Sequence, residues 1–469
     1  MPIETANAAS ETEMLPKVRL DLVRKYNVPG PRYTSYPTAV QFSEATPREG
    51  LLDDARADFA HGEDLSVYVH IPFCETLCWY CACNTITTKD HNRAVAYLDA
   101  LEREIALWVP FFKNRPRIGQ LHFGGGTPTF LRPQEIERLG AMIRAVFDFA
   151  PDAEVSVEID PRRLTAAHVE AFRRAGANRV SLGVQDFDAG AQHAINRVQT
   201  LEMTADALRW VREMGYGSVN FDLIYGLPGQ TEESFQRTLD AVEALAPDRM
   251  AVFSYAHVPW MRPAQKIFER TGTLPSPELK LRLLKLVIER LTAAGYAYVG
   301  LDHFARPDNE LAAAWRAGRL QRNFQGYSTK AGLSILGLGV TSISQTAGAF
   351  RQNEKTVDAY SQRVAAGEIP VSRGVLLSDE DKRRREIIMR IMCDRELDFA
   401  ALGGRFGVDF SQRYAPELAR LAPLVDDGLV LMDAGHLRVP PDGWLFLRNI
   451  AMAFDAYFVP AEGRHSRTV

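Results

Sequence analysis

The sequence contains little cysteine and no marked excess of charge of either sign. Five of its 469 residues are cysteine, and 55 basic against 59 acidic residues give a formal net charge of −4. This balance argues against a nucleic-acid-binding protein whose affinity rests on a basic surface. Long apolar runs are lacking too, since the longest uncharged run, residues 331–350, is rich in Gly, Ser and Thr. That run predicts a glycine-rich loop or a buried element rather than a membrane span.

The first fourteen residues lack the features of a secretory signal. They are polar and slightly acidic, without the basic segment and the apolar segment of a signal peptide. The cysteines are clustered rather than dispersed, which favours metal ligation in a reducing compartment over disulfides. We therefore expect a cytoplasmic protein that binds neither membrane nor nucleic acid.

Four of the five cysteines fall within ten positions, at Cys74, Cys78, Cys81 and Cys83. Crowded thiolates are typical of a metal site or an iron–sulfur cluster. A structural zinc site usually takes two pairs of ligands across a turn, and these spacings are too cramped to be typical of it. A two-cluster ferredoxin needs a second set of cysteines, which this sequence does not contain. The remaining alternative is a [4Fe–4S] cube held by three cysteines, with one iron left open.

Short β-rich runs alternate with amphipathic helical segments along much of the chain, for example at 201–214 and 232–245. This pattern predicts parallel strands joined by helical crossovers. The predicted strands are 65–71, 118–123, 154–159, 179–183, 219–223 and 250–255. Because a closed barrel of this kind needs eight βα units, the predicted α/β fold is an open, partial (β/α)6 TIM-like barrel. A doubly wound open sheet is the alternative.

The composition divides the chain into three predicted domains. Residues 1–60 form an N-terminal arm, 61–370 the barrel with its C-terminal extension, and 371–469 a mostly helical domain. Within the arm, prolines and a glycine at 28–38 exclude regular structure. Two tyrosines and an arginine there favour an arm lying over a binding site, and a linker with incidental aromatics is the alternative.

The CxxxCxxC spacing of Cys74, Cys78 and Cys81, at the end of the first predicted barrel strand, resembles that of radical S-adenosylmethionine (SAM) enzymes. In that superfamily three cysteines hold the cube and SAM chelates the open iron through its amino and carboxylate groups. An electron from the cluster breaks the S–C5′ bond of SAM and gives a 5′-deoxyadenosyl radical. The resemblance implies these three cysteines as metal ligands, and the aromatic Tyr80 also fits the pattern.

The longer CxxxCxxCxC pattern, which includes Cys83, resembles the oxygen-independent coproporphyrinogen III oxidase family. Residues 31–38, 68–74 and 323–327 and the helical C-terminal region also resemble that family, and the likeness runs from about residue 16 to the end. It implies oxidative decarboxylation of two propionates of coproporphyrinogen III to vinyl groups, which gives protoporphyrinogen IX. It further implies a reducing donor protein, such as a flavodoxin-type carrier, and a monomeric enzyme.

The same resemblance implies two SAM molecules beside one [4Fe–4S] cluster. The glycine-rich segment 123–129 would bind the amino-acid part of SAM, although a glycine triplet alone indicates only a tight turn. The first SAM would contact Tyr68, Tyr80, Gly125, Glu158 and Ile343. The second would contact Gly126, Thr127, Gln185, Arg197, Asp222 and Ala256. Arginine can pair a carboxylate, and Asp or Gln can accept from an ammonium or hydroxyl group.

The remaining candidates concern catalysis and the substrate. Cys83, His70 and Arg32 are predicted catalytic residues, with a plain hydrogen bond as the alternative role of His70. The propionates of coproporphyrinogen need cations, for which Arg32, His303, Arg306 and residues 382–385 are candidates. For 382–385 a solvated helix face is the favoured interpretation.

Two rival functions remain at this point. A heme chaperone of the same superfamily would bind heme without oxidase activity, but Cys83 and the arm at 31–38 count against it. A winged-helix DNA-binding module in the C-terminal region is the second rival, and the net charge of −4 argues against it.

Overall fold

The computed structural model describes residues 15–459 and 467–468, so the predicted lack of a signal in residues 1–14 lies outside the described residues. Two compact units are present. The barrel unit contains residues 37–275 and 330–382, and the second unit contains residues 15–36, 276–329, 383–459 and 467–468. The three-domain division at residues 60 and 370 stays a prediction.

The barrel unit is built on parallel strands that lie side by side in chain order. These are β1 (Leu65–Ile71), β2 (Arg117–Gly125), β3 (Asp148–Ile159), β4 (Arg179–Gln185), β5 (Ser218–Tyr225) and β6 (Arg249–Ser254). Within the described residues β6 does not pair with β1, so the barrel is open. The predicted open, partial α/β barrel is confirmed.

Four more strands extend the sheet beyond β1. They are β7 (Ser334–Leu338), β8 (Ile343–Gln345), β9 (Ala349–Asn353) and β10 (Val371–Leu376). Strand β7 runs parallel to β1, and β8, β9 and β10 follow as an antiparallel series. The uncharged run 331–350 contributes to β7, β8 and β9 and is buried over most of 335–350, so the buried element is the better of the two predicted alternatives.

Helices connect the barrel strands and cover the sheet. They are α1 (Asn92–Trp108), α2 (Pro133–Val146), α3 (Ala166–Arg174), α4 (Leu201–Glu213) and α5 (Glu232–Leu245). Thr200 and Thr231 cap α4 and α5 by accepting from backbone amides of the first turn. Each helix buries one apolar face, as the sequence periodicity predicts. Other helices of this unit are Arg48–Phe59, Ala189–Ala194, Lys266–Thr271 and Val357–Ala365.

The second unit combines helices with short antiparallel pairs. Its helices include Leu20–Tyr26, Pro277–Ala293, Glu310–Arg316, Phe399–Phe406, Phe410–Arg413, Ala415–Ala419, Ala422–Asp426 and Leu447–Met452, and Asp379–Cys393 precedes the last five. Its strands are Ala297–Gly300, His303–Ala305, Gln321–Asn323, Gly326–Ser328, Glu396–Asp398, Leu431–Met432 and His436–Arg438. Leu431–Met432 and His436–Arg438 form an antiparallel hairpin. No helix in the described ranges is long and apolar enough to cross a membrane.

The segment 28–36 has no helix and is fixed by its side chains. The Tyr33 hydroxyl donates to Asp455 at 3.0 Å, and the Tyr36 hydroxyl accepts from the Ala456 amide at 3.0 Å. Both tyrosines are fully buried in the second unit. These aromatics are therefore structural anchors and not incidental members of a linker.

Candidate active site

The cysteine loop, residues 72–88, follows β1 and is held at both ends by backbone hydrogen bonds. The Pro72 carbonyl accepts from the Ile86 amide at 2.7 Å, and the Cys74 carbonyl accepts from the Thr88 amide at 2.9 Å. In the middle of the loop the Trp79 amide donates to the Ile195 carbonyl at 3.0 Å. The loop therefore presents its cysteines at the carboxyl end of β1, where sites form in parallel α/β folds.

Two guanidinium groups contact the buried thiol of this loop. The Sγ atom of Cys78 lies 3.4 Å from Arg162 Nη2 and 3.6 Å from Arg197 Nη1. Cys74 and Cys81 are half-buried, and Cys83 is exposed. Cationic N–H donors stabilise a thiolate, which is the form that binds metal.

Cys83 acts on its neighbour Cys81. Its backbone amide donates to Cys81 Sγ at 3.4 Å. A hydrogen bond from the Cys83 side chain, aided by Arg262 and Arg197, lowers the pKa of Cys81 to about 7. The fourth cysteine of the cluster thus favours the thiolate of a predicted ligand.

Asp160 holds both arginines against the loop. Its Oδ2 atom lies 3.0 Å from Arg197 Nη1 and 2.6 Å from Arg162 Nη2. Arg197 also donates to the Gly183 carbonyl at 2.7 Å and is almost completely buried. Burial acts to raise the pKa of Asp160, but Arg197 and Arg162 outweigh burial and lower the pKa to about 2. The carboxylate therefore stays ionised and orients both guanidinium groups.

The three predicted ligands fit a cube by their chemistry. Cys74, Cys78 and Cys81 are thiols on one short loop with cations beside them, and each would hold a separate iron. Among the residues that the structure describes, no three His, Cys, Asp or Glu side chains are placed to hold a single metal ion.

The glycine triplet at the end of β2 packs directly on the cysteine loop. The amides of Gly126 and Thr127 donate to the carbonyls of Ile71 and Phe73 at 2.8 and 2.9 Å. At Gly125 φ is +117°, and a Cβ atom there would lie 2.8 Å from His70 Cε1 and from the Ile71 carbonyl oxygen. Any side chain at this position would push the strand end away from the loop.

Replacing Gly125 with alanine should therefore destabilise the protein more than an ordinary glycine replacement. Backbone strain alone costs about 1–3 kcal/mol, and overpacking adds about 1–3 kcal/mol. Gly229→Ala is the matched control, because Gly229 has φ +79° but no atom within 4 Å of an added Cβ. Denaturant unfolding of both variants checks this, and equal losses would contradict the close packing.

Polar side chains of β1, β2 and β3 meet next to the triplet. Glu158 accepts from His122 Nε2 at 2.9 Å and from the Gly125 amide at 3.2 Å. The His122 ring stacks on the Tyr68 ring, with centroids 5.8 Å apart. Burial raises the pKa of Glu158, but the bonds from His122 and Gly125 outweigh it and leave the pKa below its ordinary value. The site therefore holds a carboxylate where the family resemblance predicts SAM.

His70 links Tyr68 to the cysteine loop. Its Nε2 atom lies 3.1 Å from the Asn84 carbonyl oxygen, and its Nδ1 atom lies 3.0 Å from the Tyr68 hydroxyl. A carbonyl only accepts, so Nε2 carries the proton and Nδ1 accepts from Tyr68. Burial lowers the pKa of His70, which keeps the ring neutral. Hydrogen bonds account for both nitrogens, in agreement with the plain structural role.

Three of the candidates for the second SAM, Gln185, Asp222 and Ala256, lie at the end of β4, within β5 and after β6. Gln185 ends β4 in the left-handed region, with φ +66°. Asp222 on β5 accepts from Ser181 Oγ at 2.8 Å and from Asn220 Nδ2 at 2.9 Å, and burial raises its pKa to about 6. The Ala256 carbonyl accepts from Gln265 Nε2 at 3.3 Å, and the same amide donates to the Tyr80 carbonyl at 3.0 Å.

A cavity of about 370 Å³ opens beside the cysteine loop. Its lining includes Cys74, Thr127, Asp160, Arg162 and Met203. This volume lies in the range of small-molecule sites. Cys74, a predicted cluster ligand, and Thr127, a predicted SAM contact, thus line the same cavity.

Ile343 begins β8, and the loop before it is fixed by a buried carboxylate. Glu104 on α1 accepts from the Gly339 amide at 2.7 Å, from Asn353 Nδ2 at 2.7 Å and from the Tyr360 hydroxyl at 2.6 Å. Burial raises the pKa of Glu104 to about 7 against the lowering effect of these bonds. The position of Ile343 therefore depends on a carboxyl group that titrates near neutral pH.

Glu104 should make stability depend on pH. Its pKa rises from 4.5 to about 7 on folding, so its contribution is fully present below pH 4.5 and is lost as the pH rises through 7. We expect the unfolding free energy of the natural protein, relative to Glu104→Gln, to fall by about 3 kcal/mol over this range. Glu102→Gln, an exposed change on the same helix, is the control for the substitution itself. A flat difference for Glu104→Gln in denaturant titrations would contradict the shift.

The predicted propionate cations lie mainly in the second unit. Arg32 pairs with Asp302, and the exposed Arg306 lies 3.5 Å from Asp308. In the run 382–385, Lys382 is solvated, but Arg384 is buried and pairs with Glu417 at 2.8 Å. The interpretation of this run as a solvated helix face is wrong for Arg384. The residues of the cysteine loop and the SAM candidates all belong to the barrel unit.

Sequence reasoning missed His122, Asp160 as an orienting carboxylate, and Arg162. His122 lies two residues before Gly124, so the alternation of β2 places both on one face. That alternation could have identified it. Asp160 and Arg162 carry no comparable signal, because they lie on a turn whose course is set by tertiary contacts.

Two family models match the chain. The radical SAM superfamily model covers residues 68–242, and the HemN C-terminal domain model covers residues 377–446. Oxygen-independent coproporphyrinogen III oxidase from Escherichia coli strain K12 is 46% identical over 93% of this chain and 95% of its own length. The enzyme of the same name from Helicobacter pylori strain J99 is 42% identical over 95% of this chain and 98% of its own.

A solved structure matches with a TM-score of 0.90 and 43% identity, covering 94% of this chain and 100% of the other. It is coproporphyrinogen III oxidase (HemN) from Escherichia coli, described as a radical SAM enzyme. Identity at this level over nearly the whole length of both chains shows the family. The chain belongs to the oxygen-independent coproporphyrinogen III oxidase family of the radical SAM superfamily.

Proposed function

We propose that this protein is a radical SAM oxidoreductase that converts coproporphyrinogen III into protoporphyrinogen IX without oxygen. Two propionate side chains are decarboxylated to vinyl groups. In each round a β-hydrogen atom is removed, CO₂ leaves, and one electron passes to an acceptor. The observation that carries the proposal is the cysteine loop, where Cys83 accompanies three cysteines spaced for a cluster beside two fixed arginines.

The superfamily implies one [4Fe–4S] cluster and SAM, and Cys74, Cys78 and Cys81 would hold the cluster. When bound, the reduced cluster and SAM supply the 5′-deoxyadenosyl radical that removes the hydrogen atom. The protein's own contribution is positioning and charge. Arg162 and Arg197 donate to Cys78, and Asp160 fixes their direction. Such donors to cluster sulfurs tune the reduction potential.

Two SAM molecules are part of this proposal. The first takes Tyr68, Tyr80, Gly125, Glu158 and Ile343, and the second takes Gly126, Thr127, Gln185, Arg197, Asp222 and Ala256. Glu158 is held as an acceptor by His122 and suits an ammonium or hydroxyl group. Arg197 already pairs with Asp160, so a SAM carboxylate would share this guanidinium rather than find it free.

We further propose a cytoplasmic monomer that takes electrons from a reducing donor protein such as a flavodoxin-type carrier. The substrate propionates require cations, and Arg32 remains a candidate. His70 serves as a positioning residue that ties Tyr68 to Asn84.

Anaerobic turnover separates this function from that of a heme chaperone. Reconstituted protein is incubated with SAM, a reductant and coproporphyrinogen III, and the porphyrins are separated after oxidation. The expected result is a monovinyl intermediate followed by the divinyl product. Absence of vinyl products together with stoichiometric heme binding would replace the oxidase with the chaperone.

Cys83 offers the sharper second test. Cys83→Ser should retain iron, because this thiol is exposed and lies outside the predicted ligand set, and should lose turnover. Iron content and vinyl formation are measured on the same sample. Loss of iron would make Cys83 a ligand, and full turnover would remove it from the catalytic residues.

A further inference from the structure

The described part of the second unit contains four buried arginines: Arg322, Arg384, Arg395 and Arg448. Three have evident structural partners. Arg384 pairs with Glu417, Arg448 donates to backbone carbonyls that include Pro31 at 2.8 Å, and Arg395 lies 3.7 Å from the Trp444 ring centroid. Arg395 also has Nε and Nη1 atoms without a hydrogen-bond partner among the described residues, but its Nη2 atom donates to the Val299 carbonyl. Arg322 has no carboxylate or carbonyl acceptor of this kind among the described residues.

Arg322 is only 4% exposed. Within the described residues, its Nε and Nη1 atoms have no hydrogen-bond partner. Its guanidinium lies 4.9 Å from the Tyr327 ring centroid. Burial lowers its pKa, Tyr327 acts against burial, and Arg32 adds to the lowering. A buried cation in this position is costly unless an anion accompanies it.

The nearby carboxylate does not supply that anion. Asp302 interacts with Arg322 at a distance, but its carboxylate is taken by Arg32. Two further acidic groups act on Arg322, the Tyr327 hydroxyl and the Cys393 thiol. Burial keeps both protonated, because it raises the pKa of Tyr327 above its ordinary value and that of Cys393 to about 12. Among the described residues, therefore, no ionised carboxylate is left to pair with Arg322.

A second donor on the same hairpin is also unused. Gln325 lies in the turn between the strands Gln321–Asn323 and Gly326–Ser328, and its Nε2 atom is buried without a partner among the described residues. Buried donors in native proteins almost always find acceptors. The unused donors of these two residues on one hairpin indicate an acceptor that the described residues do not supply.

We propose that Arg322 binds a propionate carboxylate of the tetrapyrrole substrate, with Gln325 as a further donor. This assignment rests on the proposed function and adds the substrate-binding residue that the sequence did not identify. A guanidinium fork matches a carboxylate in two parallel hydrogen bonds. Binding supplies the missing counter-charge, so the free energy lost in burying Arg322 is recovered only in the complex.

Arg322→Met tests the assignment through binding, without turnover. Holo-protein without SAM is titrated with coproporphyrin III, the fluorescent oxidised form, and with its tetramethyl ester, which lacks carboxylates. The variant should bind the acid roughly 10- to 100-fold more weakly, since a hydrogen bond to a charged group is worth about 1.5–3 kcal/mol. Arg319→Met, an exposed change three residues earlier, should bind like the natural protein. The tetramethyl ester should bind the natural protein and Arg322→Met with similarly low affinity.

Thermal unfolding of the free protein excludes a structural role. Replacing an unpaired buried charge with an apolar side chain should leave the melting temperature unchanged or raise it. A large drop would make Arg322 structural and overturn the assignment, as would unchanged coproporphyrin binding. Weaker SAM binding in Arg322→Met would assign the guanidinium to the SAM carboxylate instead. Vinyl formation by the natural protein tests the proposed function separately, so the two can fail independently.

Discussion

Replacing Cys78 with serine is expected to remove the cluster and all activity. Cys78 is the buried thiol of the loop and the one that Arg162 and Arg197 contact. Serine oxygen is a hard ligand that suits iron–sulfur chemistry poorly, and the change also removes the sulfur that the half-buried Arg162 and the buried Arg197 contact. Iron should fall from about four per chain to a small fraction of that. Anaerobic reconstitution followed by iron and sulfide analysis measures this directly.

Cys393→Ser is the matched control for this experiment. Cys393 is equally buried but belongs to the second unit and lies outside the cysteine loop. It should retain the full iron content. Full iron in Cys78→Ser, or loss of iron in Cys393→Ser, would contradict the ligand assignment.

Replacing Arg197 with methionine is expected to lower turnover about 10- to 100-fold, the usual effect of removing a residue that orients a metal ligand. Arg197 joins Cys78 Sγ, Asp160 and the Gly183 carbonyl, so it fixes the sulfur that it contacts. Loss of a cationic donor also disfavours the more negative reduced cluster, and the reduction potential should become more negative. Potentiometric titration and vinyl formation measure the two effects.

Arg197→Lys and Arg209→Met complete this test. Lysine keeps the positive charge but lacks the two parallel N–H donors of the guanidinium. The reduction potential of Arg197→Lys should therefore lie closer to that of the natural protein than its turnover does. Arg209 is exposed on α4, and its replacement should change neither quantity. If Arg197→Met had the same reduction potential and the same turnover as the natural protein, the contact between Arg197 and Cys78 would have no role in activity.

The parallel strands could be predicted because each is a short apolar run bounded by turn residues. The prediction placed β1 at 65–71 and α5 at 232–245, and the structure has the same bounds. The sequence does not predict strand β7, because Gly337 lies within this short run and Gly339 follows it. Gly337 lies so close to the Ile343 backbone that a Cβ atom would approach its carbonyl oxygen to 2.6 Å. Local sequence does not reveal such packing.

The candidate site likewise has one part that the sequence predicts and another part that it does not. The cysteine spacing and the glycine triplet carry chemistry that can be recognised in sequence alone. The roles of Asp160 and Arg162 depend on the approach of β3 to the cysteine loop, which no local pattern encodes. The sequence does not distinguish Arg384 from Arg322. In the structure Arg384 pairs with the buried carboxylate of Glu417, whereas Arg322 has two N–H donors without a partner among the described residues. Burial and partner, not residue type, separate a structural arginine from a candidate ligand site.

The most direct test of the central claim follows the abstracted hydrogen. Coproporphyrinogen III deuterated at the propionate β-carbons is incubated anaerobically with reduced, reconstituted protein and SAM, and the 5′-deoxyadenosine is analysed by mass spectrometry. The account predicts deuterium in 5′-deoxyadenosine, with one molecule formed for each new vinyl group. Vinyl formation with unlabelled 5′-deoxyadenosine, or without any, would contradict it.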